Sequence, residues 1–251
     1  MFSLIKSTVF YGTIGYLCTK PIRKWICKKP IVQTETKDGE KIIRIDTTSK
    51  ETSYIQSLFT TNADSIRQST YDTFKRNYAK FKTTDPLHII VSTMGGSLFY
   101  SLLIANIISQ HKGKVSCSIK NYAMSGGTLI ALMCDKIIME STTVMGSIDP
   151  VSYGGLFNPQ LVSRIIGKRN QDSLNIYEEY IHEIANASVD SYKPILVKYL
   201  HRKYDNEKMI DNIVNALFET SKAHMDIYSP DELTFLSDRL QVVEKNDVLD
   251  I

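Results

Sequence analysis

The stretch that decides the fold runs from Asn121 to Ala131 and reads NYAMSGGTLIA. Ser125 in this stretch is followed by two glycines and then by apolar residues typical of the first turns of a buried helix. A serine at the start of a helix lies near unpaired backbone N–H groups and the positive end of the helix dipole. These surroundings suit a nucleophile, but they also suit an ordinary helix cap. The neighbouring segments have to decide between the two interpretations.

The segments on both sides of Ser125 predict alternating strands and helices. Apolar runs bounded by turn residues are typical of buried strands, and apolar residues at helical spacing predict helices. In chain order, we predict a strand at Leu87–Thr93, a turn at Met94–Ser97, a helix at Leu98–Gln110, a strand at Lys114–Ile119, a helix after Ser125 and a strand at Asp135–Met139. This order predicts two successive βαβ units with parallel strands. Because functional groups collect at the C-terminal ends of parallel strands, we expect the Gly95-Gly96 turn and Ser125 to share one edge of the sheet.

The regions flanking this α/β unit are predicted to be mainly helical. Before it, we predict a short strand at Lys41–Asp46 and a helical region within Ser53–Phe81. Residues 142–160 are rich in turn residues and are predicted to be largely irregular. Pro194 suits the first turn of a helix, so we expect a helix to begin beside it. The helices predicted in the C-terminal region are Asn158–Gly167, Asn175–Ala187, Lys193–Tyr204 and Met209–Phe218.

The N-terminal residues have the character of a membrane anchor. Phe2–Cys18 is apolar and aromatic and is slightly shorter than the ~20 residues of a spanning helix. Five positive residues follow it, and this order predicts a single-pass anchor whose C-terminal side faces the cytosol. A cleaved signal peptide, an organelle-targeting segment and a plain N-terminal helix are the alternatives. We therefore divide the chain into a hydrophobic segment at 1–19, a basic linker at 20–40 and an enzymatic domain at 41–251. We expect the enzymatic domain to lie at the membrane, on its cytosolic side.

Composition excludes several other functions. The net charge of +3 comes from six basic residues and no acidic residue within positions 1–34, and the remainder has 24 basic and 27 acidic residues, or −3. The main body therefore gives no reason to expect nucleic-acid binding. The sequence has no HExxH, Walker A or dinucleotide-binding GxGxxG motif, and its four cysteines have no CxxC spacing. We predict neither a metal nor a cofactor.

From Leu87 to Pro150 the chain resembles the serine dehydrogenase proteinase family of the Clp/crotonase superfamily. The motifs that carry the resemblance are TMGGSL, NYAMSGGTLIALMCDKIIM and VMGSIDP, with SKAHMDIYSPDEL nearer the C-terminus. The resemblance implies an α/β fold with a Clp/crotonase-like β/α spiroid core, to which the sequence adds an N-terminal hydrophobic helix and a helical C-terminal region. It also implies hydrolysis of peptide bonds in peptide or membrane-protein substrates, and homo-oligomers.

Hydrolysis of an amide through an acyl-enzyme needs a hydroxyl nucleophile, a base and hydrogen-bond donors for the oxyanion. Ser125 is the predicted nucleophile. The backbone N–H groups of Gly126 and Gly96 are the predicted oxyanion donors, and Gly95 and Ser97 are predicted to contact the substrate. Losing one such donor typically lowers the rate about 100- to 1000-fold.

The base is less clear from the sequence. Caseinolytic (Clp) proteases have a histidine about 25 positions after the serine, whereas Ser147–Pro150 here contains none. Lys168 follows Ser125 by 43 residues, a spacing similar to that of the lysine base in some relatives of signal peptide peptidase A. His224, in the C-terminal stretch that resembles the family, is the other candidate. Asp149 is interpreted either as the group that orients a base or as a cap of the turn before proline.

Two other functions agree with the same residues. A Clp-fold membrane scaffold that has lost catalysis would explain the missing histidine. The Met94–Ser97 turn leads into a helix that could hold a phosphate, and this observation favours a crotonase-like acyl-CoA enzyme. Such an enzyme would use the same oxyanion donors without needing Ser125.

Overall fold

The computed structural model describes residues 31–37, 40–47, 65–151, 158–170, 173–219 and 226–244. The predicted anchor at 1–19 and the candidate base His224 lie outside these ranges. Within these ranges, no helix combines the length and the apolar character needed to cross a membrane.

A mixed sheet organises the described part of the chain. Its strands are β1 (Ile31–Lys37), β2 (Glu40–Asp46), β3 (Leu87–Thr93), β4 (Val115–Ala123), β5 (Lys136–Glu140), β6 (Val144–Gly146), β7 (Ile227–Tyr228) and β8 (Leu240–Val243). The main strand order is β1-β2-β3-β4-β5-β8, and β2 to β8 in this order pair in parallel. Strand β1 is antiparallel to β2, and β6 pairs with the C-terminal end of β4 and with β7.

Six α-helices accompany the sheet in the described residues. They are α1 (Gln68–Tyr78), α2 (Leu98–Ser109), α3 (Gly126–Leu132), α4 (Pro159–Gly167), α5 (Ile176–Leu200) and α6 (Glu207–Ile213). A π-helical turn, Val214–Phe218, extends α6. The order β3-α2-β4-α3-β5 confirms the two predicted βαβ units.

Burial explains why the central elements form where the sequence predicts them. Every residue of β3 is buried, as expected for a strand covered on both faces in a parallel sheet. All seven residues of α3 are buried too, so this short helix is stabilised by its surroundings rather than by its own length. The residue that begins it, Ser125, therefore lies at the end of a rigid, interior element.

The C-terminal region differs from the prediction at Pro194. Instead of two helices, one helix of 25 residues, α5, continues through this proline. A proline inside a helix costs about 3 kcal/mol because it removes a backbone hydrogen bond. Tyr192, Leu196 and Leu200 lie at helical spacing on both sides of it and are all buried. Burying each such side chain contributes roughly 1.5–3 kcal/mol, so the continuous apolar face outweighs the proline.

The N-terminal linker also differs from the prediction. Residues 31–37, which the sequence analysis places in the 20–40 linker, form strand β1 and pair in full with β2. The reason is a hairpin: Ile, Val and Thr recur in IVQTETK, and the Asp38-Gly39 dipeptide between the strands is typical of a two-residue connection. In the predicted helical region Ser53–Phe81, the described residues contain α1.

Candidate active site

Ser125 occupies a backbone conformation that side chains rarely adopt. Strand β4 ends at Ala123 and α3 begins at Gly126, so only two residues join them. Ser125 has φ 49° and ψ −115°, and it is the one non-glycine residue with positive φ in the described part of the chain. The Gly127 N–H donates to the Met124 carbonyl at 2.8 Å and closes a tight turn in which the position of Ser125 normally favours glycine. Such strain costs about 1–3 kcal/mol and is typical of functional sites.

Thr128 holds this turn in place. Its buried hydroxyl oxygen lies 2.5 Å from the Ala123 carbonyl oxygen and 2.8 Å from that of Gly146, and the Gly146 N–H donates to it at 3.2 Å. One side chain thus connects the end of β4, the first turn of α3 and strand β6. These contacts fix the backbone on both sides of Ser125.

The Gly95-Gly96 turn packs directly against the Ser125 turn. Gly95 has φ 92°, and a Cβ atom there would lie 2.7 Å from both the Met124 carbonyl oxygen and the Ser125 Cβ. Gly96 has φ 146°, and a Cβ atom there would lie 2.4 Å from the Ile66 nitrogen. Only glycine fits at either position, because a side chain on Gly95 would push the two turns apart and one on Gly96 would meet the Ile66 backbone. The structure therefore brings the two turns together at one edge of the sheet.

The N–H groups of Gly96 and Gly126 are available to a ligand. Neither donates a hydrogen bond to another described residue, and both glycines line the same cavity as Ser125. The Ser125 hydroxyl also has no hydrogen-bond partner among the described residues. A half-buried serine whose hydroxyl lines the same cavity as two free N–H donors has the arrangement that attack on a carbonyl requires.

The cavity at Ser125 has a volume of about 330 Å³. It is formed by the two glycine turns, the segment after β6, and helices α4 and α5. Its polar lining side chains are Ser97, Ser125, Asp149, Ser188 and Tyr192. Ser188 and Tyr192 lie on a helix that reaches the site only through tertiary packing, so no local sequence pattern predicts their position there.

Asp149 forms part of the buried wall of this cavity. Its side chain is 1% exposed, and the Asn158 amide nitrogen donates to its carboxylate at 2.5 Å. The amide oxygen of Asn158 accepts the Leu161 N–H at 3.1 Å and thereby caps α4. Burial, and secondly the negative charge of Asp149, raise the pKa of the Tyr192 phenol above its usual value. A fixed carboxylate is therefore present in the same cavity as the candidate nucleophile.

A second cavity, of about 630 Å³, lies at the opposite ends of the strands. Its lining includes His88, Lys114 and Lys136, near the N-terminal ends of β3, β4 and β5. It has neither the strained serine nor the free glycine N–H groups, so we place the chemistry at Ser125 despite the larger volume here. Among the described residues, no cluster of three or more histidine, cysteine or acidic side chains is placed to hold a metal.

Sequence comparison assigns the chain to a family. The profile of the ClpP-like SDH-type serine proteinases matches residues 71–234, about two thirds of the chain. The chain belongs to this family. The match includes both glycine turns, Ser125, Asp149 and both base candidates.

Relatives of this proteinase family member are found in an archaeon. One uncharacterized protein of Methanocaldococcus jannaschii is 32% identical over 123 residues, which cover 49% of this chain and 42% of the relative. A second is 48% identical over 65 residues, which cover 26% and 22%. The chain therefore matches less than half the length of these relatives.

Solved structures of proteases are also similar at low sequence identity. ClpP1 of Listeria monocytogenes has a TM-score of 0.45 at 13% identity, covering 74% of this chain and 90% of that chain. A mutant of the membrane-bound stomatin-specific protease 1510-N has a TM-score of 0.44 at 19% identity, covering 74% and 78%. The family assignment rests on the sequence profile and not on these similarities.

The structure describes only one of the two predicted bases. Lys168 is exposed at the C-terminal end of α4 and is not among the described residues that line the Ser125 cavity. A lysine that acts as a base normally needs burial to lose its proton. His224 lies in the segment 220–225, outside the described residues.

The residues that flank this segment lie close to the cavity. The Ile148 N–H donates to the Leu217 carbonyl at 2.8 Å, and the Ser147 N–H donates to the Asp226 carbonyl at 3.2 Å. Leu217 lies shortly before this segment and Asp226 directly after it. Both therefore contact the residues that precede Asp149.

Proposed function

We propose that this chain is a serine peptidase in which Ser125 attacks the carbonyl carbon of a peptide bond. The observation that carries the proposal is the strained Ser125 turn, which presents an unpaired hydroxyl to a cavity beside two free N–H groups. An ordinary helix cap would need no positive φ and would bond its hydroxyl to the helix. Membership of a serine proteinase family supports the same chemistry.

The oxyanion of the tetrahedral intermediate would bind the N–H groups of Gly96 and Gly126. These donors belong to two different turns that contact each other through Gly95, so their positions are fixed before substrate binds. Fixed donors stabilise developing charge without reorganisation. Gly95 and Ser97 would lie along the bound peptide backbone.

We assign the base to His224, with Asp149 as the carboxylate that orients it and stabilises its charged form. The buried position of Asp149 in the Ser125 cavity and the hydrogen bond from the Ser147 N–H to the Asp226 carbonyl support this assignment. In this arrangement the histidine takes the proton of the serine and later returns it to the leaving amine. Lys168 is the second candidate, and its exposure makes it the weaker one.

Labelling with a fluorophosphonate probe tests the nucleophile. We expect one adduct, which mass spectrometry of the digested protein locates on Ser125. Ser97 lines the same cavity and provides a matched control, because Ser97→Ala should keep the labelling that Ser125→Ala loses. A folded protein without an adduct on Ser125 would refute the peptidase proposal and favour the inactive scaffold.

Variants of the base candidates provide a second, independent measurement. His224→Ala should slow labelling at neutral pH by more than about 100-fold, the lower range for a general base. Lys168→Ala should label as fast as the unmodified protein. The reverse result would assign the base to Lys168.

We further propose that residues 1–19 anchor the chain in a membrane and that the peptidase domain lies on the cytosolic side, as a homo-oligomer that cleaves peptides or membrane-protein segments. The positive residues after the apolar segment support this orientation. Carbonate extraction of the full chain and of a chain lacking residues 1–19 tests it. The full chain should stay with the membrane and the truncated chain should be released; retention of both would place the anchor elsewhere.

A further inference from the structure

Tyr192 is a polar residue of the cavity that the proposed chemistry does not use. It lies on α5 and is 4% exposed, and it lines the cavity together with Ser125 and Asp149. Its hydroxyl makes no hydrogen bond with any other described residue. Buried tyrosine hydroxyls usually have a partner, so this one needs an explanation.

Other tyrosines of the described core follow the usual pattern. The Tyr204 hydroxyl donates to the Leu132 carbonyl at 2.9 Å, and the Tyr228 hydroxyl donates to the Ala216 carbonyl at 2.7 Å. These hydroxyls stabilise the fold. Tyr192 is buried, as Tyr204 is, but its hydroxyl is left to bond whatever enters the cavity.

The Tyr192 ring is fixed in the wall of the cavity that Asp149 also lines. The ring packs edge to face against Phe218 with a centroid separation of 5.4 Å. Burial, and to a smaller extent the Asp149 charge, raise the pKa of this phenol. The phenol therefore remains protonated at neutral pH. The hydroxyl is thus a donor and not a base.

Two of the other polar groups that line this cavity already have partners. The Ser188 hydroxyl, one helical turn before Tyr192, donates to the Ile184 carbonyl at 2.8 Å, and the Asp149 carboxylate accepts from Asn158. The apolar residues that line the same cavity include Leu98 and Pro159. A ligand in this part of the cavity therefore meets apolar contacts, one phenol donor and a negative charge.

We propose that Tyr192 donates a hydrogen bond to an uncharged acceptor of the peptide bound at Ser125. The proposal rests on the peptidase function proposed above. An anionic acceptor is disfavoured because the Asp149 charge lies on the same wall. The acceptor is an amide oxygen, either of a side chain such as glutamine or of the peptide backbone. A purely apolar side chain in this position would leave the phenol unpaired and would bind less well.

The variant Tyr192→Phe tests this contact, because it removes the hydroxyl and keeps the ring on Phe218. Two aminocoumarin peptides serve as probes, identical except for glutamine or leucine before the cleaved bond. We expect the variant to lower kcat/KM for the glutamine peptide about threefold to tenfold, the range of one neutral hydrogen bond. A loss confined to the glutamine peptide identifies a side-chain acceptor, and an equal loss for both identifies a backbone carbonyl. Unchanged kcat/KM for both peptides overturns the proposal.

Tyr204→Phe is the matched control, since it removes a buried hydroxyl that bonds within the protein. It should lower Tm and leave kcat/KM unchanged, whereas Tyr192→Phe should leave Tm unchanged and lower kcat/KM. An equal loss of Tm in both variants would show that Tyr192 has a structural partner, and would overturn the proposal. Failure of the unmodified protein to label at Ser125 would instead refute the peptidase function itself.

Discussion

Replacing Ser125 with glycine should stabilise the protein although it removes the proposed nucleophile. The serine has φ 49° and ψ −115°, a conformation that costs a residue with a side chain about 1–3 kcal/mol. Glycine relieves this strain, but it also makes the unfolded chain more flexible, which costs about 0.4–1 kcal/mol. We therefore expect the free energy of unfolding of the Ser125→Gly variant to be about 1 kcal/mol higher than that of the Ser125→Ala variant. For a chain of this size the difference corresponds to a Tm about 2–4 °C higher.

Alanine is the correct reference because it also lacks the hydroxyl but keeps the strained Cβ. Thermal unfolding followed by circular dichroism measures both variants. Ser97 provides a control in the same cavity, because its φ of −58° is ordinary and glycine brings no relief there. Ser97→Gly should therefore be less stable than Ser97→Ala. If Ser125→Gly proves no more stable than Ser125→Ala, Ser125 is not strained and the argument for a dedicated nucleophile turn is wrong.

Two further variants probe the packing around the site. A Cβ atom on Gly126 would lie 2.1 Å from the Ser101 Oγ, so Gly126→Ala should lower the free energy of unfolding by about 1–3 kcal/mol. Adding Ser101→Gly should recover stability in a double-mutant cycle, and additive effects would contradict the contact. Asn158→Asp places a second carboxylate 2.5 Å from Asp149. Two such groups share a proton, which raises the pKa of one of the two carboxyl groups in the folded state. As the pH rises from about 5 to about 8, Tm should therefore fall more in the variant than in the parent. Matching pH profiles of Tm would show that this amide does not contact the carboxylate.

The central elements were predictable because local sequence and tertiary environment agree there. Leu87–Thr93 is an apolar run that ends in a turn, and the structure gives it the same bounds. The prediction of a break at Pro194 was wrong because helix propensity is local, whereas the side chains that continue the helix are stabilised by the distant core. Strands β6, β7 and β8 have two to four residues each, too few for a periodic pattern. Their positions depend on which strand edge is available to pair.

Part of the candidate site was predictable for the same reason. Gly95, Gly96 and Ser125 follow strands β3 and β4, so the rule for parallel sheets brings them together without knowledge of the remaining fold. Asp149 follows a very short strand, and its residue type alone does not distinguish a turn cap from a wall of the cavity. Tyr192 was missed, since nothing in its local sequence shows that α5 packs over the serine.

The cavity wall thus has two parts of different origin, and they are free to change independently. The sheet side presents mainly backbone, fixed by Thr128 and by glycines at which a Cβ atom would clash. The side formed by α4 and α5 presents side chains at Pro159, Ser188 and Tyr192 from helices outside the parallel sheet. Under the proposed peptidase function, substitutions there can alter which peptide fits without disturbing the proposed nucleophile and oxyanion donors. For engineering, the helical side is where a library aimed at new cleavage specificity should be built, with the serine turn left intact.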